Sequence, residues 1–439
     1  MERIPMLGYY LELALYSLRR SKALTLLMVV AIALGIGACM TTLTVLHVLS
    51  GDPLPERSGR LFMPQVDPQT VSGFSSTSEP EEQVTWIDGM NLLHAGRATR
   101  QVLMTGGVTP VQPEDPGQDP FRSPVRMTTA DFFPMFDVPF AFGHAWNAGD
   151  DESRSRIAVI SSGLNDRLFK GQDSTGRTVR VNGADMRIVG VLKPWRPHPH
   201  FYDINMGNFA EDEDVFVPLT TGRDLQIERM GSVDCWGSGT SSEDALEKAD
   251  CAWLQYWVQL DSPSAVAAYK QFLVDYSSQQ KAAGRFERPP NVRLRSLMEW
   301  LDFQRVVPDD VRLQSWLALG FLLVCLVNTV GLMLAKFLRR SGDVGVRRAL
   351  GASRGDVFAQ LLTESGMIGL AGGIGGLLLT MVGLWLVRQQ PDPYARFATL
   401  DMSMLALTFL LAIGATLVAG LLPAWRACQV APALQLKTQ

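Results

Sequence analysis

Three groups of side chains in this sequence have the chemistry of a site, but none of the three is complete. His198 and His200 lie in a Pro-His-Pro-His segment and could ligate a metal ion, yet no further ligands accompany them. The acidic run at 211–214 could hold calcium or bind a basic partner, although such runs are commonly solvated loops. Cys235 and Cys251 are spaced neither as CxxC nor beside histidine, which argues against zinc. The sequence therefore predicts no metal site.

Motifs for nucleotide binding and for nucleophilic catalysis are missing from the sequence. The chain contains no Gly-Lys dipeptide, so the Walker-type phosphate loop GxxxxGK[ST] cannot form. No GxSxG motif prepares a serine nucleophile. We therefore expect no catalytic residues and no cofactor bound by this chain. A nucleic-acid partner is not expected either.

The elements that must position these residues divide into apolar and polar segments. Of the 439 residues, 47% are hydrophobic and 19% are charged. Four nearly uncharged runs have the length that crosses the hydrocarbon core of a bilayer, about 20 residues. They are residues 24–49, 313–335, 366–387 and 403–423. This pattern predicts an α-helical membrane protein with four transmembrane helices and one large extramembrane domain, 50–312.

The distribution of charge predicts the side of the membrane on which each part lies. Residues 51–312 carry 37 acidic and 26 basic side chains, whereas the rest of the chain carries 7 acidic and 14 basic ones. Lys and Arg near membrane ends favour the cytoplasm. They cluster at Arg3, Arg19, Arg20 and Lys22, and again between the second and third runs. Both termini are therefore expected in the cytoplasm and the acidic domain outside it.

The segment ahead of the first run, residues 1–23, is interpreted as a cytoplasmic amphipathic helix. Leu11, Leu15 and Leu18 recur at helical spacing, with tyrosines nearby for the membrane interface. A plain extension of the first span is the alternative. The first run is too long for a cleaved signal peptide and starts too far along the chain, so it is interpreted as a retained anchor.

The positions of the cysteines agree with this topology. Cys39 and Cys325 lie in spans, Cys428 lies on the cytoplasmic side, and only Cys235 and Cys251 fall in the outer domain. A disulfide between these two would close a loop of about 15 residues and stabilise the fold by about 3 kcal/mol. An oxidising periplasm permits such a bond. Two unpaired thiols are the alternative.

The outer domain is predicted to be a mixed α+β domain. Short β-branched runs recur between 125 and 217, and Asn182-Gly183 favours the tight turn of a β-hairpin. Residues 253–260 are predicted as a strand and 264–280 as a helix. Residues 295–310 are predicted as a helix that extends the second span outward. A βα-containing subdomain with a β-rich insert at 125–250 is therefore expected.

Glycines in the third span are interpreted as a helix-packing face. Gly369 and Gly373 are four residues apart, as are Gly372 and Gly376. This spacing of small residues lets helix backbones approach closely. Two uses remain open, namely static packing within one subunit and a contact that rearranges as a dimer opens and closes.

The segment between the second and third runs combines positive charge with a helical pattern. Residues 343–350 can form about two helical turns, ended at Gly351, where a C-capping glycine is expected. A short basic helix joined to two spans is suited to receive force from a soluble partner. The alternative is a loop whose positive charge only sets the topology.

The sequence GDVGVRRALGAS at 342–353, followed by TESG at 363–366, resembles the cytoplasmic loop of MacB/FtsX-type ABC transporter permeases. That loop follows the pattern E-I-G-x-R-R-A-L/I-G-A-S, with a glutamate entering the third span. The tail, LPAWRA at 422–427 and APAL at 431–434, is similar to the ending of the same family. Asp343 stands where the family usually has glutamate, and the ATPase domain of the fused family members is missing from this chain.

The resemblance implies a permease subunit of the bacterial inner membrane. It implies a MacB-like periplasmic core domain at 50–312 and an FtsX-like permease domain at 313–439. A coupling helix, 342–352, would bind a dimer of separate ABC ATPase subunits that hold ATP and Mg, and Glu364 would anchor this helix to the third span. The residues implied in the ATPase contact are Asp343, Val344, Arg347, Arg348, Ala349 and Leu350.

The resemblance also implies a mechanism and partners. In mechanotransmission, ATP-driven movement reaches the periplasmic domain without a substrate having to cross the membrane. The expected partners are a second permease copy or a paralogue, membrane lipid, a periplasmic adaptor protein and an outer-membrane channel. Efflux or export is the leading function. The alternatives are a non-transporting FtsX-like regulator of cell-wall hydrolases, a lipoprotein-releasing permease and a membrane-anchored periplasmic enzyme.

Overall fold

The computed structural model describes residues 13, 16, 21–75, 77–113, 119–237, 245–339, 341–391, 394–400 and 402–429. The chain divides into two compact units, a membrane unit from Met1–Ser50 with Val307–Gln439 and an extramembrane unit, Gly51–Val306. Most of the predicted amphipathic helix and the tail beyond 429 lie outside the described residues. Among the described residues, the membrane unit has four helices long and apolar enough to cross a bilayer, and the extramembrane unit is mixed α and β. The predicted fold class is confirmed.

The described helices are α1 (Lys22–Ser50), α2 (Trp86–Ala95), α3 (Phe132–Met135), α4 (Ala148–Glu152), α5 (Ser162–Phe169), α6 (Leu219–Asp224), α7 (Pro263–Ala282), α8 (Leu297–Phe303), α9 (Asp309–Arg339), α10 (Ser341–Ala349), α11 (Arg354–Val387) and α12 (Met402–Gln429). The described strands are β1 (Leu61–Gln65), β2 (Val84–Thr85), β3 (Arg100–Gln112), β4 (Phe121–Thr128), β5 (Phe140–Gly143), β6 (Ile157–Ile160), β7 (Thr178–Val181), β8 (Ala184–Leu192), β9 (Val215–Pro218), β10 (Glu228–Arg229), β11 (Asp234–Cys235), β12 (Cys251–Gln259) and β13 (Arg293–Ser296).

The strands of the extramembrane unit form one linked sheet, in the order β13-β1-β12-β3-β4-β9-β6-β8-β5. The pairs β4–β9 and β6–β8 are parallel, and the other pairs along this path are antiparallel. Side chains alternate between the faces of a strand, so a core forms on each face. Leu103 and Val215 belong to one core, and Val102 and Phe216 belong to the other. Strands of the predicted insert and of its flanking parts share this sheet.

Local sequence explains where several elements begin and end. The predicted hairpin is confirmed, because β7 and β8 pair across Asn182 and Gly183, which both have a positive φ. The prediction of a single helix over 295–310 is wrong. Ser296 caps α8 reciprocally with Glu299 and so starts a new helix after β13. The chain then leaves helical geometry until α9, whose first turn is bound to the carbonyl of Pro308.

The membrane unit is built from α1, α9, α11 and α12. Its core includes Met28 and Ile36 of α1, Ile368 of α11 and Ala412 of α12. Large apolar side chains remain exposed on the outside of the helices, Trp316 of α9 among them, as expected for contact with lipid. α11 begins twelve residues before the predicted run, at a capping box formed by Ser353 and Asp356.

Candidate functional site

The short helix α10 lies between α9 and α11 in the chain. It exposes Val346 and Arg347, and Leu350 just beyond its end is 83% exposed. Nη1 of Arg347 donates to Oε1 of Gln360 at 2.9 Å and so ties α10 to α11. Gly351 follows with a φ of +103°, a conformation that favours glycine. The segment therefore presents an apolar and basic surface that is fixed to a membrane helix.

The residues predicted to contact an ATPase fall on this helix and at its end. Arg348 is half-buried, in contrast to its exposed neighbour Arg347. Asp343, Val344 and Ala349 belong to the helix, but their side chains lie outside what the structure describes. The assignment of these residues to an ATPase contact stays a prediction.

Glu364 of α11 is buried in an ion pair with Lys336 of α9. Nζ of Lys336 lies 2.5 Å from Oε1 of Glu364, and both side chains are 2% exposed. The same ammonium donates to the hydroxyl of Thr25 on α1 at 3.3 Å. Three membrane helices therefore meet at one buried charge pair, near the ends of α9 and α11 that α10 joins. Anchoring of the coupling helix by Glu364 stays a prediction.

The four glycines predicted as a packing face approach two different helices of the same chain. Cβ atoms built at Gly372 and Gly376 would lie 2.6 and 2.8 Å from Cγ2 of Ile32 and Ile36 on α1. A Cβ atom at Gly373 would lie 2.8 Å from Cβ of Ala412 on α12. A Cβ atom at Gly369 would meet Thr416 of the same helix. These distances are shorter than side chains tolerate. The four positions therefore provide close packing on two sides of α11.

The histidine and acidic segments of the extramembrane unit converge on a buried arginine, Arg126 of β4. Its guanidinium donates to Asp203 at 2.5 Å and through Nε to Glu213 at 3.0 Å. Glu213 also accepts the hydroxyl of Tyr202 at 2.7 Å and lies 3.2 Å from Nε2 of His200. All of these side chains are buried. The cluster is therefore part of the core and closed to solvent.

Electrostatics in this cluster favour the ion pairs over neutral groups. Burial opposes the charged form of Glu213, but Arg126 and His200 outweigh it and hold the pKa of this carboxyl well below its usual range. Burial, together with Glu213, raises the pKa of the Tyr202 phenol. Among the described residues, no group of three or more His, Cys, Asp or Glu has a geometry that could hold a metal ion. The cluster can hold the segments that carry Asp203 and Glu213 to β4 through Arg126. Because it is buried, it offers no open position for a substrate.

Cys235 of β11 and Cys251 of β12 are joined by a disulfide in the structure. The two residues are direct partners in the antiparallel pairing of these strands. Cys39 and Cys325 are buried free thiols. The disulfide therefore closes the segment between β11 and β12, part of which lies outside the described residues.

Comparison with known protein families decides the assignment. Residues 25–275 match the MacB-like periplasmic core domain, and residues 316–432 match the FtsX-like permease C-terminal domain. The chain belongs to the MacB/FtsX-like family of ABC transporter permeases. The resemblance inferred from GDVGVRRALGAS is confirmed. The permease is a membrane protein with a periplasmic domain, and its family is generally non-catalytic.

Similar proteins include export ATP-binding/permease proteins. The pyoverdine export ATP-binding/permease protein PvdT of Pseudomonas aeruginosa is 23% identical over 325 residues, covering 74% of this chain and 43% of that protein. The permease YvrN of Bacillus subtilis, an uncharacterised ABC transporter permease, is 24% identical over 307 residues, covering 69% and 67%. The periplasmic region of MacB from Actinobacillus actinomycetemcomitans aligns with a TM-score of 0.36 at 10% identity, covering 56% and 92%. The chain spans about half the length of the export relatives it matches.

Sequence reasoning missed several residues of the permease that the structure brings together. Lys336 belongs to the basic residues around the second and third runs, from which only the topology is predicted, and Arg126 carries no prediction there. A basic residue between apolar neighbours, as in the sequence LAKFL at 334–338, is a signal that could have identified Lys336. For Arg126 the signal is an arginine inside a β-branched run, since buried arginine needs acidic partners.

Proposed function

We propose that this permease couples ATP hydrolysis by a separate ABC ATPase to movement of its periplasmic domain, in an export system of the bacterial inner membrane. The observation that carries the proposal is the surface of α10 and Leu350. Exposed Val346, Arg347 and Leu350 offer apolar and basic groups to a soluble partner. ATP and Mg would be held by the ATPase. This chain would supply the surface of α10 and Leu350, on which the movement of the ATPase acts.

The contacts around α10 support the transfer of motion. Only residue 340 separates α9 from α10, and four residues, 350–353, separate α10 from α11. Arg347 is bound to Gln360 of α11, and the pair of Lys336 with Glu364 joins α9 to α11. A displacement of α10 would therefore move α9 and α11 together. α9 leads back toward the extramembrane unit along the chain, which gives the motion a route to that unit.

The proposed topology places α10 and both termini in the cytoplasm, and Lys and Arg near α10 support it. We expect an ATPase dimer and a second permease chain, either a copy or a paralogue, as obligatory partners. The export function is supported by the names of relatives such as PvdT. A periplasmic adaptor and an outer-membrane channel are proposed as further partners of such an export system.

The decisive test is purification of the tagged chain from its native membrane, with identification of the co-purifying proteins by mass spectrometry. Wild type is expected to bring down an ATPase and a periplasmic adaptor. Arg347→Glu combined with Leu350→Asp is expected to lose the ATPase, because it reverses the charge and removes the apolar contact. Arg388→Glu, a charge reversal at the other end of α11, is the control and is expected to retain it.

Retention of the ATPase by the double variant would overturn the role of α10. Recovery of an ATPase with a cell-wall hydrolase or a lipoprotein chaperone, in place of the adaptor, would overturn export. Recovery of no ATPase from wild type would overturn the coupling proposal as a whole.

A further inference from the structure

The extramembrane unit contains a cavity that the coupling function does not use. Its volume is about 900 Å³, and it lies among α2, α3, α4 and α6. Pockets for small organic molecules are commonly of this size, with mostly apolar walls and a few polar groups. The cavity is therefore large enough for an organic ligand of several fused or linked rings.

Aromatic side chains form one wall of this cavity. Phe133 packs against Trp146 with ring centroids 4.7 Å apart and against Phe140 with centroids 5.4 Å apart. Phe133 and Trp146 are almost fully buried, so their positions are set by the core behind them. Aromatic faces carry negative charge density and attract cations that reach them.

The charged groups of the cavity are mainly carboxylates. Two lining residues are already neutralised, since Asp137 pairs with Arg57 at 3.0 Å and Arg154 pairs with Asp224 at 2.5 Å. Three other lining carboxylates form no ion pair with any residue that the structure describes. They are Asp131, Asp151 and Glu152. The remaining titratable base is His94, which is exposed.

Hydrogen bonds fix two of these carboxylates in place. Asp151 accepts the indole N–H of Trp146 and the backbone N–H of Ala130, each at 2.8 Å. Asp131 accepts the backbone N–H of Gln101 at 3.0 Å. Burial raises the pKa of Asp151 to about 6, with Asp150 and Asp131 contributing in the same direction. The surroundings of this carboxyl would therefore gain from a positive charge.

We propose that this cavity binds an organic cation with an apolar, ring-bearing body, held between the aromatic wall and the carboxylates of Asp131, Asp151 and Glu152. The body would bury its apolar surface against Phe133, Phe140 and Trp146. The positive charge would compensate carboxylates that have no ionic partner among the described residues. Binding at this site does not depend on the proposed coupling to an ATPase.

The test compares two ions of nearly equal size and apolar surface but opposite charge. Equilibrium dialysis of radiolabelled tetraphenylphosphonium and of tetraphenylborate would be measured with the purified full-length chain in a neutral detergent, against empty micelles. Tetraphenylphosphonium is expected to bind saturably at one site per chain, and tetraphenylborate is not. Glu152→Gln and Asp131→Asn are each expected to weaken cation binding by about three- to tenfold.

Asp185→Asn, which removes an exposed carboxylate from β8 outside the cavity, is the matched control and is expected to bind as wild type does. Glu152 is exposed, so Glu152→Gln tests the site without disturbing the core. Equal binding of both ions, or wild-type binding by both cavity variants, would overturn the proposal. Loss of binding in the Asp185→Asn control would also overturn it, since the effect would then not belong to this cavity.

Discussion

The extramembrane and membrane units both bury charge, but they compensate it in different ways. In the extramembrane unit, Arg126 is surrounded by two carboxylates, with His200 and Tyr202 completing the cluster. In the membrane unit, Lys336 faces one carboxylate and a threonine hydroxyl. In the first cluster several donors share two carboxylates, whereas in the second an ammonium meets a carboxylate at a junction of three helices.

This difference follows from the chemistry of the two cations. A guanidinium has five N–H donors in a fixed fork, so it can hold several acceptors at once within a rigid core. An ammonium is a compact charge on a flexible stem, which suits a contact whose partners shift slightly. We infer that the Arg126 cluster serves the stability of the sheet, and that the pair of Lys336 with Glu364 serves the joint movement of α9 and α11.

The largest expected effect comes from removing the arginine of the first cluster. Arg126→Met leaves Asp203 and Glu213 as buried carboxylates without their cation, which should lower the free energy of unfolding by about 3–5 kcal/mol. Chemical denaturation of the purified chain would measure the loss. Arg126→Lys keeps the charge but loses the fork, so its loss should be smaller. Arg187→Met, an exposed arginine on β8, should change little. An equal loss for Arg126→Met and Arg187→Met would contradict the role of the cluster.

The second prediction concerns the membrane pair. Lys336→Met and Glu364→Gln should each destabilise the membrane unit by about 3 kcal/mol, because each removes an ionic partner from a buried charge. The double variant should lose less than either single one, since both charges of the ion pair are then removed together. Thermal unfolding in neutral detergent would be compared across this double-mutant cycle. Additive losses would show that the two side chains do not interact.

A third prediction asks whether packing rather than charge holds the membrane helices together. Gly376→Ala should lower the free energy of unfolding by about 1–3 kcal/mol, because the added methyl group would meet Ile36. Gly331→Ala is the matched control, since a Cβ atom there would meet nothing within 4 Å. That variant should be neutral or slightly stabilising. The same thermal unfolding measurement distinguishes them, and equal midpoints would argue against tight contact between α11 and α1.

The last prediction is a pH dependence in the extramembrane unit, from a carboxyl that forms no ion pair with any described residue. The pKa of Asp151 lies at about 6 in the folded chain, against an ordinary value of 3.8. Between these values the folded chain binds the proton more tightly than the unfolded chain, so stability falls as pH rises from about 4 to about 6. Asp151→Asn should remove this component, and thermal unfolding across the pH range compares it with wild type. Parallel pH profiles for the two chains would contradict the raised pKa.

Several features of the fold could be predicted because their causes are local in sequence. Apolar runs identify the membrane helices, because a span must bury about 20 consecutive apolar residues. The β7–β8 hairpin follows from Asn182-Gly183, whose positive φ values few other residue pairs adopt. The family follows from the motif at 342–353. The helix predicted over 295–310 failed because Ser296 begins a separate helix by capping.

The sites depend on contacts that no local pattern contains. Lys336 and Glu364 are on different helices, and their pairing requires the rotation of α9 and α11 about their axes to be fixed by packing. Arg126 pairs with Asp203 and Glu213, which lie 77 and 87 residues further along the chain. The sequence by itself determined the spans, the turn and the family, because hydropathy and backbone preference act within a few residues. Only the tertiary structure decided which buried charges meet, because the register between packed elements is set by the whole core.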